Sequence, residues 1–250
     1  RRGHSVTLCE REPWTGGQIR AAATAPHRGE LAGMVTSLEA ECARAGVEIR
    51  TGFEVDADFV RAYRPDAVIV ATGARPQRPV WAGDSAKVVD VRDVLEGRAD
   101  PEGRVLVVDD LGFHQATSVA ELLAGRGCTV TVCTGGMIVG QDLGLTLDMD
   151  GWTRRAHAAG ITQITDVMVT GIVDVDDATV VSLVDHRTGT GRPFVADAVV
   201  VVAHQEPVDE LWKQLAESRF PVFRVGDAVT PRRAHNAILE GDAAAIAVCH

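Results

Sequence analysis

Residues 68–73 read Val-Ile-Val-Ala-Thr-Gly, a short run of branched and small apolar side chains stopped by a glycine. Such a run reads as a buried parallel strand, because a strand covered on both faces has no polar alternation. Gly73 lets the backbone turn where a Cβ would obstruct it, so the strand ends where a ligand can approach closely. A second run, Ala-Val-Val-Val-Val-Ala at 198–203, leads into His204, Gln205, Glu206 and Pro207 without the Thr-Gly pair. Buried parallel strands need helices on their faces. The expected class is therefore α/β.

At 250 residues and 46% hydrophobic content the chain suits two compact α/β units better than one. The net charge is −10 with acids and bases interspersed, which argues against nucleic acid as a partner. No run approaches the length of a membrane span, and Arg1-Arg2-Gly3-His4 is not followed by the apolar core of a signal peptide. A soluble, cytoplasmic protein with no membrane partner is expected. Cys9, Cys42, Cys128, Cys133 and Cys249 show no CxxC and no ligand-like spacing, so they read as free thiols and no metal site is assigned.

Residues 5–9 form a strand almost at once, closed by Glu10. Preceded by Arg-Gly-His, this reads as the second strand of a βαβ unit whose first strand and helix are not in the sequence; a fragment is expected. In a dinucleotide-binding unit the acid closing that strand bonds the ribose hydroxyls, which suits Glu10. Pro13-Trp14-Thr15-Gly16-Gly17-Gln18 is a loop permissive enough to lay backbone against a phosphate or flavin. A helix is expected over 31–45, strands at 47–49, 52–55 and 68–71, and a helix over 58–64. Residues 77–103 read as a connection between domains.

The order strand 104–108, helix 118–124, strand 127–133 begins a second nucleotide-binding fold, but its phosphate loop departs from GxGxxG. Asp109, Leu111 and His114 stand where glycines are expected. Two carboxylates, Asp109 and Asp110, would face two phosphate charges, at roughly 4 kcal/mol per close pair for an effective dielectric of about 20. A helix dipole returns only about 0.3–1 kcal/mol. This second loop is thus not expected to take NAD(P) in the usual pose. Further on, a basic helix spans 152–160, strands run over 166–173, 179–184 and 198–203 with a turn at 187–192, and a short helix covers 209–215. The chain closes with Val225-Gly226-Asp227-Ala228 and an Ala-rich helix over 234–248. His114 and His204 read as packing or surface residues.

Glu10, Gly16-Gly17-Gln18, Ala71-Thr72-Gly73 and Gly226-Asp227, with the 109–124 stretch and Leu211-Trp212-Lys213-Gln214-Leu215, resemble the C-terminal half of the trimethylamine dehydrogenase and 2,4-dienoyl-CoA reductase family of old-yellow-enzyme-like flavoproteins. The resemblance covers nearly the whole chain. It implies two Rossmann-like dinucleotide-binding domains, each three-layered with a parallel central sheet, the second inserted in the first. Residues 1–80 plus 205–250 would be the FAD- or ADP-binding domain without its first strand and GxGxxG, and 84–204 the NAD(P)-binding-like domain. It further implies that Glu10 holds the ribose with Arg11 beside it, and that Gly16, Gly17 and Gln18 lie along the cofactor. Val55 would contact adenine through its backbone, Ala71-Thr72-Gly73 would pass the pyrophosphate, and Gly226-Asp227 would take the ribitol end of FAD. FMN, a 4Fe-4S cluster and the catalytic residues would sit on an N-terminal barrel absent from this sequence. An electron-transferring flavoprotein is the implied redox partner, and a homo-oligomer is expected. No catalytic residue is assigned within the chain.

Two further readings stand beside this one. Bound ADP could be purely structural, with the second domain an interaction surface. A free-standing NAD(P)H-dependent disulfide reductase is a poor fit, since the chain has no CxxC and lacks the nicotinamide-loop glycines.

Overall fold

The computed structural model describes residues 3–248; Arg1, Arg2, Cys249 and His250 lie outside the described residues. In chain order the elements are β1 (Thr7–Cys9), α1 (Gly17–Ala23), α2 (Leu31–Arg44), β2 (Glu48–Arg50), α3 (Ala57–Tyr63), β3 (Val68–Val70), β4 (Ala74–Pro76), β5 (Val88–Asp90) and α4 (Val91–Leu95). Then come β6 (Arg104–Asp109), α5 (His114–Gly125), β7 (Thr129–Thr134), α6 (Met149–Ala158), β8 (Thr162–Ile164), β9 (Val167–Val175), β10 (Ala178–Asp185) and β11 (Gly191–Ala196). The last are β12 (Ala198–Val202), β13 (Gln205–Pro207), α7 (Glu210–Gln214), β14 (Val222–Arg224) and α8 (Ala234–Ala247).

The chain divides into two compact units. Unit 1 holds residues up to Gly17, Met34–Gln77 and the chain from Gln205 onward; unit 2 holds Gln18–Gly33 and Arg78–His204. The 18–33 segment goes with unit 2 through specific contacts. Thr24 Oγ1 donates to the Leu95 carbonyl at 2.9 Å, and Arg28 meets the ring of His114.

Unit 2 is built on a five-stranded parallel sheet in the order β5-β12-β6-β7-β8. Its central strands β12 and β6 are chiefly aliphatic because both faces are covered, while β7 alternates Thr with Val. Val105, Val107, Val130, Val132, Val200 and Val202 pack on one face with Leu123 and Trp152 from α5 and α6. Leu106, Val108, Cys133, Val199 and Val201 pack on the other with Val181, Leu183 and Ala196 from the antiparallel meander β11-β10-β9. Alternation along β6 assigns each side chain to its layer. Burial pushes the Cys133 thiol up to about 12, so it is an inert core residue.

Unit 1 has no sheet wider than two strands among the described residues: β1–β2 and β3–β14 are parallel pairs and β4–β13 is antiparallel. The continuous parallel sheet expected here is not formed, since no described strand joins the two parallel pairs. A small apolar cluster of Ala57, Val60 and Leu215 lies beneath, flanked by Val55, Phe59, Val68 and Val222.

Several local expectations are corrected. Residues 52–55 are not a strand: Gly52 sits at φ +66, and the N–H groups of Gly52 and Phe53 donate to the carbonyls of Glu12 and Glu10. The 77–103 stretch is more than a connection, because β5 pairs with β12 and Asp90 caps α4 by accepting the Arg92 N–H at 2.8 Å. The turn expected over 187–192 is shorter. From Gly191 the chain is β11, an edge strand in which Pro193 is tolerated because one side needs no ladder donor. Gly17 and Gln18 open α1 rather than continuing the loop, and the helix expected from 118 begins at His114.

Candidate functional site

In unit 1, most of the positions expected from the sequence to meet a cofactor lie at the C-terminal ends of the two parallel pairs. At β1–β2 the Glu10 N–H donates to the Arg50 carbonyl at 2.8 Å and its own carbonyl accepts from Phe53 N–H at 2.9 Å, fixing the residue where the strand ends. Glu10 Oε1 accepts the Glu12 N–H at 2.9 Å, which aims the carboxylate along the chain just past the strand. Arg11 is exposed and pairs with Glu12 at 3.3 Å. Val55 commits its side chain to the Ala57 and Val60 cluster, so only its backbone remains for a ligand.

At β3–β14 the register sets Val70 opposite Arg224, and Val225 N–H extends the ladder to the Val70 carbonyl at 3.0 Å. Ala71, Thr72 and Gly73 therefore leave the sheet beside Gly226 and Asp227. Gly73 stands at φ +75 with no atom within 4 Å of a hypothetical Cβ, and its carbonyl accepts from Val208 N–H at 3.0 Å. Thr72 Oγ1 donates to the Val208 carbonyl, so the Thr-Gly turn is held from one side and open on the other. Gly226, at φ +62, gives its N–H to Glu240 Oε2 at 2.7 Å, and Asp227 Oδ1 accepts from Arg232 N–H at 3.0 Å. The Arg232 guanidinium, then the Gly226 N–H, hold the Glu240 carboxyl below the usual carboxylate range. Glu240 is a positioning residue the sequence did not reveal; it lies 14 residues beyond Gly226 on an Ala-rich helix with no motif to mark it.

Gly16 and Gly17 stand at φ +100 and +44, and Gly17 has open space where a Cβ would point. Thr15 Oγ1 donates to Glu39, tying this loop to α2. Gln18 follows Gly17 directly in α1 and is grouped with unit 2.

In unit 2 the corresponding strand end is filled by its own side chain. Asp109 is 1% exposed. Its Oδ1 accepts the N–H groups of Gly112 at 2.8 Å and Leu111 at 3.3 Å, and its Oδ2 accepts Gly140 N–H at 3.2 Å. Burial pushes the Asp109 carboxyl above the ordinary range, against the pull of these donors. His114 is mostly buried and structural: Nε2 lies 3.2 Å from Asp148 Oδ2 and 3.3 Å from Thr146 Oγ1, with Arg28 on its other nitrogen. On α6 both arginines are partnered, Arg154 with Asp150 at 2.6 Å and Arg155 with Glu121 at 2.7 Å.

No group of three or more His, Cys, Asp or Glu suited to a metal occurs among the described residues, and none of the helices described is long and apolar enough to cross a membrane.

The class follows from the parallel strands and the layers that cover them: an α/β protein. Thioredoxin reductase of T. acidophilum shares that fold over 99% of this chain and 90% of its own, with a TM-score of 0.67 at 16% identity. Within that class, residues 89–187 match the family model described as OYE-like second alpha/beta domain. N,N-dimethylglycine/sarcosine dehydrogenase of Chromohalobacter salexigens is 30% identical over 96% of this chain and 40% of its own length. NADH oxidase of Thermoanaerobacter brockii is 32% identical over 96% and 37%. The 6-hydroxypseudooxynicotine amine oxidase of Pseudomonas geniculata N1 superposes with a TM-score of 0.87 at 27% identity, covering 97% of this chain and 38% of that one. These relatives are oxidoreductases: a dehydrogenase, an NADH oxidase and an amine oxidase. The chain spans about two fifths of the length of the curated relatives it matches.

Proposed function

We propose that this chain is the nucleotide-binding portion of a flavin-dependent oxidoreductase of the amine dehydrogenase/demethylase or enoate reductase type, with FAD or ADP held in unit 1. The observation that carries the reading is the pairing of chemistry with strand ends. Glu10 closes one parallel pair as a directed carboxylate, while the open Gly73 turn and Gly226-Asp227 leave the end of the other together. These residues fit the adenosine side of a nucleotide: a carboxylate for ribose hydroxyls, and backbone without Cβ atoms where a phosphate must pass closely. Glu10 would orient the ribose with Arg11 beside it, Val55 would offer backbone to the adenine, and Thr72-Gly73 would pass the pyrophosphate. Gly16 and Gly17 would lie along the cofactor, with Gln18 at the start of α1. Asp227, positioned through Arg232, would meet the ribitol hydroxyls of a full FAD. A bound flavin would supply the electron-accepting ring.

By the family resemblance, substrate chemistry would belong to a barrel carrying FMN and a 4Fe-4S cluster, with electrons passing to an electron-transferring flavoprotein and the protein acting as a homo-oligomer. Unit 2, its loop carrying Asp109 in place of the first glycine, would not serve NAD(P).

The test is to denature the purified protein and separate the released nucleotide. FAD, with a yellow holoprotein, or ADP is expected. A protein that releases neither and binds neither on titration would sink the reading. A second reading, a structural ADP module, draws support from the filled loop of unit 2. Colourless protein releasing ADP, with no redox change on adding reductant, would favour it.

A further inference from the structure

The two acids that stand together after β6 have different surroundings. Asp110 is exposed and within electrostatic reach of His204, with its own N–H donating to the Val202 carbonyl at 3.0 Å. Asp109 points the other way, into the protein, and receives N–H groups from two separate loops. Gly112, at φ +64, and Leu111 come from the turn that follows the strand. Gly140 comes from the stretch after β7, at φ +67, where a Cβ would lie 2.9 Å from both Leu143 Cδ1 and Thr117 Cγ2. The Asp142 N–H returns the tie by donating to the Gly112 carbonyl at 2.8 Å. Backbone N–H groups converging on one acidic group make an anion nest, and a carboxylate competes with a phosphate for the same donors.

We propose that Asp109 is a built-in anion: its carboxylate occupies the backbone donors that a dinucleotide pyrophosphate would need, and so determines that unit 2 refuses NADH and NADPH. An entering pyrophosphate would have to displace this carboxylate, leaving a buried charge stripped of its donors, or sit against it. Exclusion is thus set by one internal side chain rather than by the general acidity of the Asp109-Asp110 pair. The inference deepens the reading of unit 2 given above and leaves the FAD or ADP reading of unit 1 untouched.

The experiment titrates NADH and NADPH into the wild type, Asp109→Gly and Asp110→Gly, following nicotinamide fluorescence. Wild type and Asp110→Gly are expected to show no saturable binding at millimolar nucleotide, while Asp109→Gly gains at least a tenfold tighter dissociation constant. Equal gains in both variants would make general charge repulsion the cause and overturn the proposal, as would a folded Asp109→Gly with no gain. Saturable binding to wild type would overturn it too; the nucleotide released from unit 1 on denaturation reports separately on the function proposed above. Should Asp109→Gly fail to fold, amide exchange in Asp109→Asn decides. Faster exchange confined to Leu111, Gly112 and Gly140 supports the built-in anion, and unchanged exchange at all three overturns it.

Discussion

Unit 2 and unit 1 are made from the same kinds of element, yet one is closed upon itself and the other is not. In unit 2 five parallel strands lie between two apolar layers, and even the turn after β6 is filled by the chain's own carboxylate. In unit 1 the strands pair only two by two, the apolar cluster is small, and the Thr72-Gly73 turn opens onto free space. Identical backbone devices, a strand end and a tight turn, become a self-satisfied structural joint in one case and, in the function proposed above, a place for a ligand in the other. What separates them is whether a side chain of the same chain reaches the backbone donors first.

The contrast is most strongly tested by deleting the same atoms in each core. Leu123→Ala, from a fully buried position against the β6–β7 face, is expected to cost about 2–5 kcal/mol in urea unfolding. Leu215→Ala, equally buried but in the small cluster of unit 1, is expected at the low end of that range, because fewer neighbours hold the cavity open. Equal losses would break the comparison. Ligand linkage comes next. ADP at a hundred times its dissociation constant should stabilise the protein by about 2.7 kcal/mol, and Glu10→Ala should remove most of that shift at the same ADP concentration. A thermal shift that survives Glu10→Ala undiminished would take the ribose away from Glu10.

The smallest expected effect is one of pH, and it sets two carboxylates of unit 2 against each other. Arg104 donates to Asp197 from its guanidinium and, at 2.7 Å, from its backbone N–H, holding that carboxyl down to about 2. A depressed folded pKa contributes stability that is present above the ordinary value of 3.8 and is lost as the pH falls through about 2. Asp109, raised by burial, works in the opposite sense, since protonation in that range is easier folded than unfolded. Asp197→Asn should therefore flatten the acid side of the stability profile in urea titrations between pH 5 and about 2.5. A profile as steep as that of wild type would show that the Arg104 pair is screened by solvent.

The central strands of unit 2 were legible because burial on both faces forces an aliphatic run, as in residues 105–108 and 198–202, and β7 because β-branched Thr and Val alternate through 129–132. β5 was not, because three residues carry too little pattern and its identity depends on pairing with β12 far along the chain. β11 was hidden by Pro193, which reads as a breaker until its edge position is known. Gly52 misled in the other direction, since an apolar-flanked stretch looked like a strand while its N–H groups were spent on the loop after β1. The placement of Glu10, Gly73 and Asp227 just past strand ends was readable because a strand and the turn that follows it are local in sequence. The setting of Asp109 was only half readable. Its charge was visible, but its partnership with Gly140 joins residues 31 apart. Likewise His114 reads as filler until Arg28 and Asp148 are seen on either side of it.

The interleaving of the two units along the chain also orders events during synthesis. Unit 2 takes residues 18–33 and 78–204, so every residue it needs has been made once His204 leaves the ribosome. At that moment unit 1 still lacks β14, the partner of β3, together with Gly226 and Asp227. The unit that completes itself is thus also the one finished first, and the nucleotide site proposed for unit 1 can be assembled only once residues 222–227 have followed it.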